Sequence, residues 1–416
     1  MIKEIDMSKV LPFAAYRPNS DVVSEVAALP YDVYKRAEAA EYVKDHPKSF
    51  LRIDRPETQF PETQDMYAQE VYDKAAEMLK DDMSNGTYIN DAEPFYYIYE
   101  LIMDGRHQTG IVAVVSIDDY MDGTIKKHEN TLAAKEQDRI NHIYNCNAQT
   151  GPIFLAYRDR NVINDIVNKV KQGEKTYGFT ADDGITHNVW LIDNTEDIKA
   201  IKAEFDAENR IYIADGHHRA ASAVKVGLKK REENPGYTGD EEFNYFMSVL
   251  FPESELKILP YNRVVKDTNG LSKDEYFEKI GAICDIAEVS EAYQPAAKGE
   301  IGMFIEDKWY KLTVKDEFKS DDPVAGLDVS ILQDNILGPI LGIEDPRTDK
   351  RIDFVGGIRG LGELERRANN DMQLAFSMYP TSINELFEVA DAGRLMPPKS
   401  TWFEPKLRSG IFIHEI

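Results

Sequence analysis

The residues with the densest chemistry in this 416-residue chain are Asp215-Gly216-His217-His218-Arg219, directly after the apolar run Ile211-Tyr212-Ile213-Ala214. A helix-forming stretch, Ala220 to Leu228, follows. If Asp215 or Gly216 starts that helix, its free N–H groups and the positive end of its dipole face the same space as Arg219, which suits a phosphate or carboxylate. The two histidines add proton transfer near neutral pH. Adjacent residues at a helix start point about 100° apart, which disfavours one metal ion held by both rings.

Two further blocks supply candidate walls. Lys126-Lys127-His128-Glu129-Asn130-Thr131 precedes Lys135, Asp138, Arg139 and His142, which share one helical face at i, i+3, i+4, i+7. Here Lys127, His128 and Arg139 are candidate anion ligands. Glu129 is a candidate general base, and Glu129 or Asp215 is the available magnesium ligand. The third block, Met396-Pro397-Pro398-Lys399-Ser400-Thr401-Trp402-Phe403-Glu404-Pro405-Lys406, is stiffened by three prolines. Lys399, Ser400, Thr401 and Lys406 are therefore candidate phosphate ligands on a pre-set loop. The Gly356-Gly357-Ile358-Arg359-Gly360 stretch reads as an ordinary strand-to-helix turn, since it fits neither phosphate-loop fingerprint.

The positioning elements are legible from periodicity. Phe95 to Met103 and Thr109 to Ile117 predict a hairpin through Asp104-Gly105. Ile153 to Tyr157, Val162 to Val170 and Val189 to Ile192 read strand, helix, strand. Asn194 caps a helix with an Ile198, Ile201, Phe205 stripe. Ile211 to Ala214 and Phe246 to Phe251 are buried-type strands. The alternation predicts a mixed α/β fold. Expected segments are an N-terminal region 1–125, a core 126–265 carrying the Asp-Gly-His-His-Arg turn, a smaller lobe 266–325, and a C-terminal segment 326–416 closing the site.

Composition narrows the class. Lys plus Arg number 49 against 74 Asp plus Glu, a net charge of −25. That balance opposes nucleic-acid and anionic-membrane partners, yet leaves room for a local basic pocket. Two cysteines, Cys146 and Cys284, exclude a disulfide framework and a thiolate zinc cluster. Met1 to Val10 lacks the apolar centre of a signal peptide, so a cytoplasmic protein is expected. Nothing in the sequence sets an oligomeric state.

At the Asp-Gly-His-His-Arg turn the chain resembles the ParB/sulfiredoxin superfamily. It also carries Leu29-Pro30-Tyr31-Asp32-Val33, Lys127-His128-Glu129-Asn130-Thr131, Tyr261-Asn262-Arg263-Val264-Val265 and Met396-Pro397-Pro398-Lys399-Ser400-Thr401. In that order these resemble the domain-of-unknown-function family numbered one thousand and fifteen, from end to end. The resemblance implies a ParB/sulfiredoxin-like strand–turn–helix core with additional α/β lobes, with Asp215 to Arg219 as the phosphate-binding and proton-transfer element. It further implies kinship with free-serine kinases and with phosphoserine metabolism. ATP or ADP and magnesium are the expected cofactors, and a small phosphorylated or hydroxylated metabolite is the expected partner. Neither cysteine lies in the turn, which removes sulfinic-acid repair. The expected function is phosphoryl transfer on serine or O-phosphoserine, as phosphatase or nucleotide-dependent kinase. The rival readings are a nucleotide-binding regulatory module and a metabolite-binding protein without turnover.

Overall fold

The computed structural model describes residues 9–131 and 133–416, so the reading of the N-terminus lies almost wholly outside the described residues. The described chain forms two compact units, residues 9–256 with 405–416, and residues 257–404.

The main elements of the first unit include β1 (Val10–Leu11), α1 (Gln69–Ser84), β2 (Tyr96–Met103), β3 (Arg106–Ser116), β4 (Ile125–Lys126), α2 (Ala133–Cys146), β5 (Ile153–Tyr157), α3 (Asn161–Val170), β6 (Tyr177–Thr180), β7 (Thr186–Ile192), α4 (Thr195–Asp206), β8 (Ile211–Asp215), α5 (His217–Glu233) and β9 (Tyr245–Pro252). These strands make one mixed sheet, ordered β4-β8-β5-β9-β3-β2-β7-β6, with β1 beside β3, while Tyr16–Pro18 with Tyr88–Asn90 and Ala148–Gln149 with His414–Glu415 form two small sheets of their own. The β2–β3 hairpin turns on Asp104 and Gly105, both at positive φ (52° and 74°), the geometry a two-residue turn between twisted strands requires. The strands β2, β5, β8 and β9 are buried along nearly their whole length, which explains runs such as Tyr96-Tyr97-Ile98-Tyr99 in place of strict alternation. The helix α5 presents Ala220, Ala223, Val224 and Val226 to the core. At Gly227 an added Cβ would press on the Phe243 carbonyl and sit 2.8 Å from Ile117, so the site admits no side chain.

In the second unit, β10 (Tyr261–Val265), α6 (Lys273–Ile283), β11 (Cys284–Val289), β12 (Glu300–Ile305), β13 (Lys308–Val314), β14 (Ile352–Gly356), α7 (Gly360–Asn370), β15 (Leu374–Met378) and α8 (Ile383–Asp391) follow in order. The strands make an antiparallel sheet ordered β11-β13-β12-β15-β10-β14. Leu364 and Ala368 of α7 pack with Val264, Phe304, Trp309, Val355 and Ala375. The strand-to-helix glycines serve packing: a Cβ on Gly356 would lie 2.7 Å from the Trp402 ring, and one on Gly357 2.8 Å from Pro260.

The mixed α/β class is as expected, but the segments divide differently. Residues 1–125 and 126–256 are not separate regions, because β5, β8 and β9 hydrogen-bond into the same sheet as β2 and β3. Residues 266–325 are not a lobe of their own, since β12 pairs with β15 and shares its sheet with β10 and β14. The last residues return to the first unit, where His414–Glu415 pairs with Ala148–Gln149. Pairings this distant in sequence leave no mark in local composition. The chain is α-helical over Asp328–Leu332 and then widens to a π-turn over Gln333–Leu337.

Candidate functional site

The site forms where β8 ends. Pairing with β5 slips between Ile213 and Asp215, a bulge that re-aims the strand end. Gly216 follows at φ 91°, a left-handed conformation that glycine adopts without strain. A Cβ there would lie 3.1 Å from the Arg219 guanidinium. The helix α5 starts at His217 with no side chain capping it, so its first N–H groups face the turn.

The Asp215 carboxylate accepts the Gly216 N–H at 2.7 Å and the Lys406 ammonium at 2.9 Å. Burial raises its pKa, but the Lys406 ammonium, the Arg219 guanidinium and these hydrogen bonds outweigh that effect. Together they hold the carboxyl well below the usual carboxylate range. Arg219 is anchored through Nη1 to the Pro152 carbonyl at 2.6 Å. Asp215 with Lys406 and Arg219 thus carries a net positive charge on an acidic protein.

The parallel pairing of β4 with β8 brings His128 beside the turn. The His128 and His217 rings meet edge to face, with centroids 4.5 Å apart. Both side chains are buried. His128 hydrogen-bonds the backbone at Ile213. The His128 Nδ1 and the His217 Nε2 have no hydrogen-bond partner. Burial lowers the His128 pKa to about 4, against the pull of Asp215 and Ile213. Burial, then His128, His218 and Lys127, takes His217 well below the usual histidine range, against Asp215. Both rings are therefore neutral at pH 7. The Glu129 carboxylate stands 3.7 Å from the His217 Nδ1. His218 acts electrostatically on Glu136, whose carboxylate bonds Thr131 and Lys225. The Lys127 ammonium lies 4.0 Å over the Tyr120 ring.

Arg139 is not on a solvated face. It is buried, paired with Asp138 at 2.8 Å and stacked 4.0 Å over the Tyr31 ring. His142, on the same face, bonds the Ile53 carbonyl at 2.9 Å. Arg139 and Arg219 line one small pocket of about 30 Å³ with Tyr31, Asp54 and Thr150. Burial pushes the Tyr31 phenol up to about 12 against the pull of both guanidiniums. The turn thus gathers His128, Glu129, His217, Arg219 and Lys406, with Arg139 on a neighbouring wall. Lys399, Ser400 and Thr401 belong to the second unit.

Pro152, Thr150, Asp54 and Glu136 carry no signal of their own in the sequence. The cue for the first two is the Thr150-Gly151-Pro152 break directly before β5. Of the two carboxylates expected as magnesium ligands, Glu129 is the more exposed. Both Asp215 oxygens accept hydrogen bonds, and among the described residues no three His, Cys, Asp or Glu side chains converge.

Fold and site together define a two-unit mixed α/β protein whose strand–turn–helix element joins an arginine, a lysine–aspartate pair and two neutral histidines. The chain belongs to the family described as "Protein of unknown function (DUF1015)", whose family model matches residues 10–330. No curated protein matches it. Among solved structures it is similar to SbnI with a C-terminal truncation from Staphylococcus aureus (13% identity, 70% of this chain and 82% of that one, TM-score 0.39). It is also similar to a free serine kinase variant in complex with AMP (15%, 70% and 86%, TM-score 0.35). A third is a conserved hypothetical protein from Pyrococcus furiosus (15%, 71% and 93%, TM-score 0.33). Among the described residues no helix is long and apolar enough to cross a membrane.

Proposed function

We propose that this chain is a phosphoryl-transfer enzyme acting on a small hydroxylated metabolite, with serine and O-phosphoserine the first pair to test. The observation that carries the reading is the pair of buried histidine nitrogens without partners, on rings in contact beside an uncapped helix start and Arg219. A buried polar atom left unsatisfied costs about 1–3 kcal/mol, and a bound ligand removes that cost.

In this reading the first N–H groups of α5 and the Arg219 guanidinium hold the phosphoryl oxygens. Asp215 stays ionised and orients Lys406, which neutralises charge as it develops. Neutral His217 takes a proton at Nε2 from the attacking water or hydroxyl and returns it to the leaving oxygen. The Glu129 carboxylate, on the other side of the ring, stabilises the imidazolium formed in between. In the phosphatase direction the P–O bond to serine breaks and water supplies the new oxygen. In the kinase direction the serine hydroxyl attacks the terminal phosphorus of ATP or ADP, whose bridging P–O bond breaks to release ADP or AMP.

Purified protein is incubated with O-phosphoserine alone, and with serine plus ATP or ADP, each with and without magnesium. Phosphate release or phosphoserine formation is expected in one direction, and Arg219→Met is expected to reduce it by about 10²–10³. A folded protein inert in every mixture would remove the proposal.

A further inference from the structure

The second unit holds a buried guanidinium that meets no carboxylate. Among the described residues five arginines are buried: Arg17, Arg55, Arg139, Arg263 and Arg408. Four of them pair with an acid, namely Arg17 with Asp91, Arg55 with Glu57, Arg139 with Asp138 and Arg408 with Asp183. Arg263, 3% exposed in the middle of β10, does not. Its Nη1 donates to the Tyr261 carbonyl and its Nη2 to the Lys399 carbonyl at 3.1 Å, with the Phe354 ring centroid 5.4 Å away. Burial pulls its pKa down to about 10, opposed by the Tyr261 phenol. A desolvated charge without a counter-charge is destabilising, and an anion bound beside it removes that cost.

A second cation is held beside it. Lys399 has a φ of 60°, a left-handed conformation that costs a non-glycine residue energy. The surrounding loop enforces it: the Ser400 hydroxyl donates to the Pro397 carbonyl at 2.6 Å, and the Thr381 hydroxyl to the Ser400 carbonyl at 3.0 Å. The Lys399 ammonium lies 5.7 Å from the Tyr261 ring centroid, so both cations lie against Tyr261. Arg263 is buried, whereas Lys399 is exposed and marks the side from which an anion reaches the guanidinium.

We infer that Arg263 and Lys399 form a binding site in the second unit for the carboxylate or phosphate group of a small molecule. A planar guanidinium fork with an adjacent ammonium matches either oxyanion. The site shares no residue with the Asp215–Arg219 turn and stands without it.

The test uses the full chain carrying Arg219→Met, which disables the first site, titrated calorimetrically with inorganic phosphate and separately with acetate. One equivalent of at least one anion is expected to bind. Adding Lys399→Met, a change at an exposed position, is expected to weaken it about tenfold or more. Arg263→Lys keeps the charge but loses the fork and should weaken it similarly, with a Tm near the parent's. Acetate binding alone marks a carboxylate site, and phosphate binding alone a phosphoryl site. Binding of neither, or equal binding with and without Lys399→Met, overturns the inference. Because Arg219 is already removed, this result is independent of whether O-phosphoserine or serine turns over.

Discussion

The two buried histidines of the turn have different surroundings. His217 lies next to a carboxylate and carries an unpartnered Nε2, whereas His128 packs edge-on against it and bonds the backbone of β8. The depressed pKa of His128 is also a statement about stability. Its value of about 4 lies below the ~6.5 of an unfolded chain, so between these values the unfolded state binds a proton that the folded state refuses. The stability from the neutral ring is complete above pH ~6.5 and is lost as pH falls toward 4. Urea unfolding of His128→Gln should therefore lose about 2–3 kcal/mol less than wild type between pH ~7 and ~4.5. Parallel decline of the two proteins would show that the ring is not buried neutral. Activity should follow the same sign. With His217 neutral, the rate should persist below the pH where an ordinary histidine protonates, and a midpoint near 6.5 would contradict that.

At the scale of elements, the site depends on close approach between α5 and its neighbours. Gly227→Ala places a methyl group against the Phe243 carbonyl and Ile117, and should destabilise by about 1–3 kcal/mol, read as a lowered Tm. An unchanged Tm would mean that α5 does not approach Phe243 and Ile117 this closely. The sequence makes these elements readable because each carries its own local signal. Asp104-Gly105 announces the hairpin, Asn194 accepts the N–H groups of Glu196 and Asp197 as a cap, and the Ile211 strand ends at the turn. The partners of the turn were only half legible. Lys127-His128-Glu129 stood out by residue type, and the pairing of β4 with β8 explains why it lies there. Arg139 is a candidate anion ligand by residue type, and its packing on Tyr31 and Asp138 has no counterpart in the helical spacing. Arg263 gave no chemical signal, because an arginine within a five-residue strand announces nothing until its surroundings lack an acid.

The whole molecule interleaves its units along the chain. The first unit is completed by residues 405–416, which supply Lys406 to Asp215, Arg408 to His187, and the fully buried Ile411, Phe412 and Ile413. Deleting 405–416 should cost the first unit more than ~5 kcal/mol, enough to unfold a typical domain, although the deletion is nearly 190 residues from the turn. Circular dichroism showing that unit folded in the truncated protein would contradict this. The central claim is that neutral His217 moves the proton in phosphoryl transfer, and the direct measurement is the turnover of His217→Gln against wild type in the active direction. A kcat lower by about 10²-fold or more is expected, with KM and Tm little changed. A folded variant that keeps the wild-type kcat would contradict it.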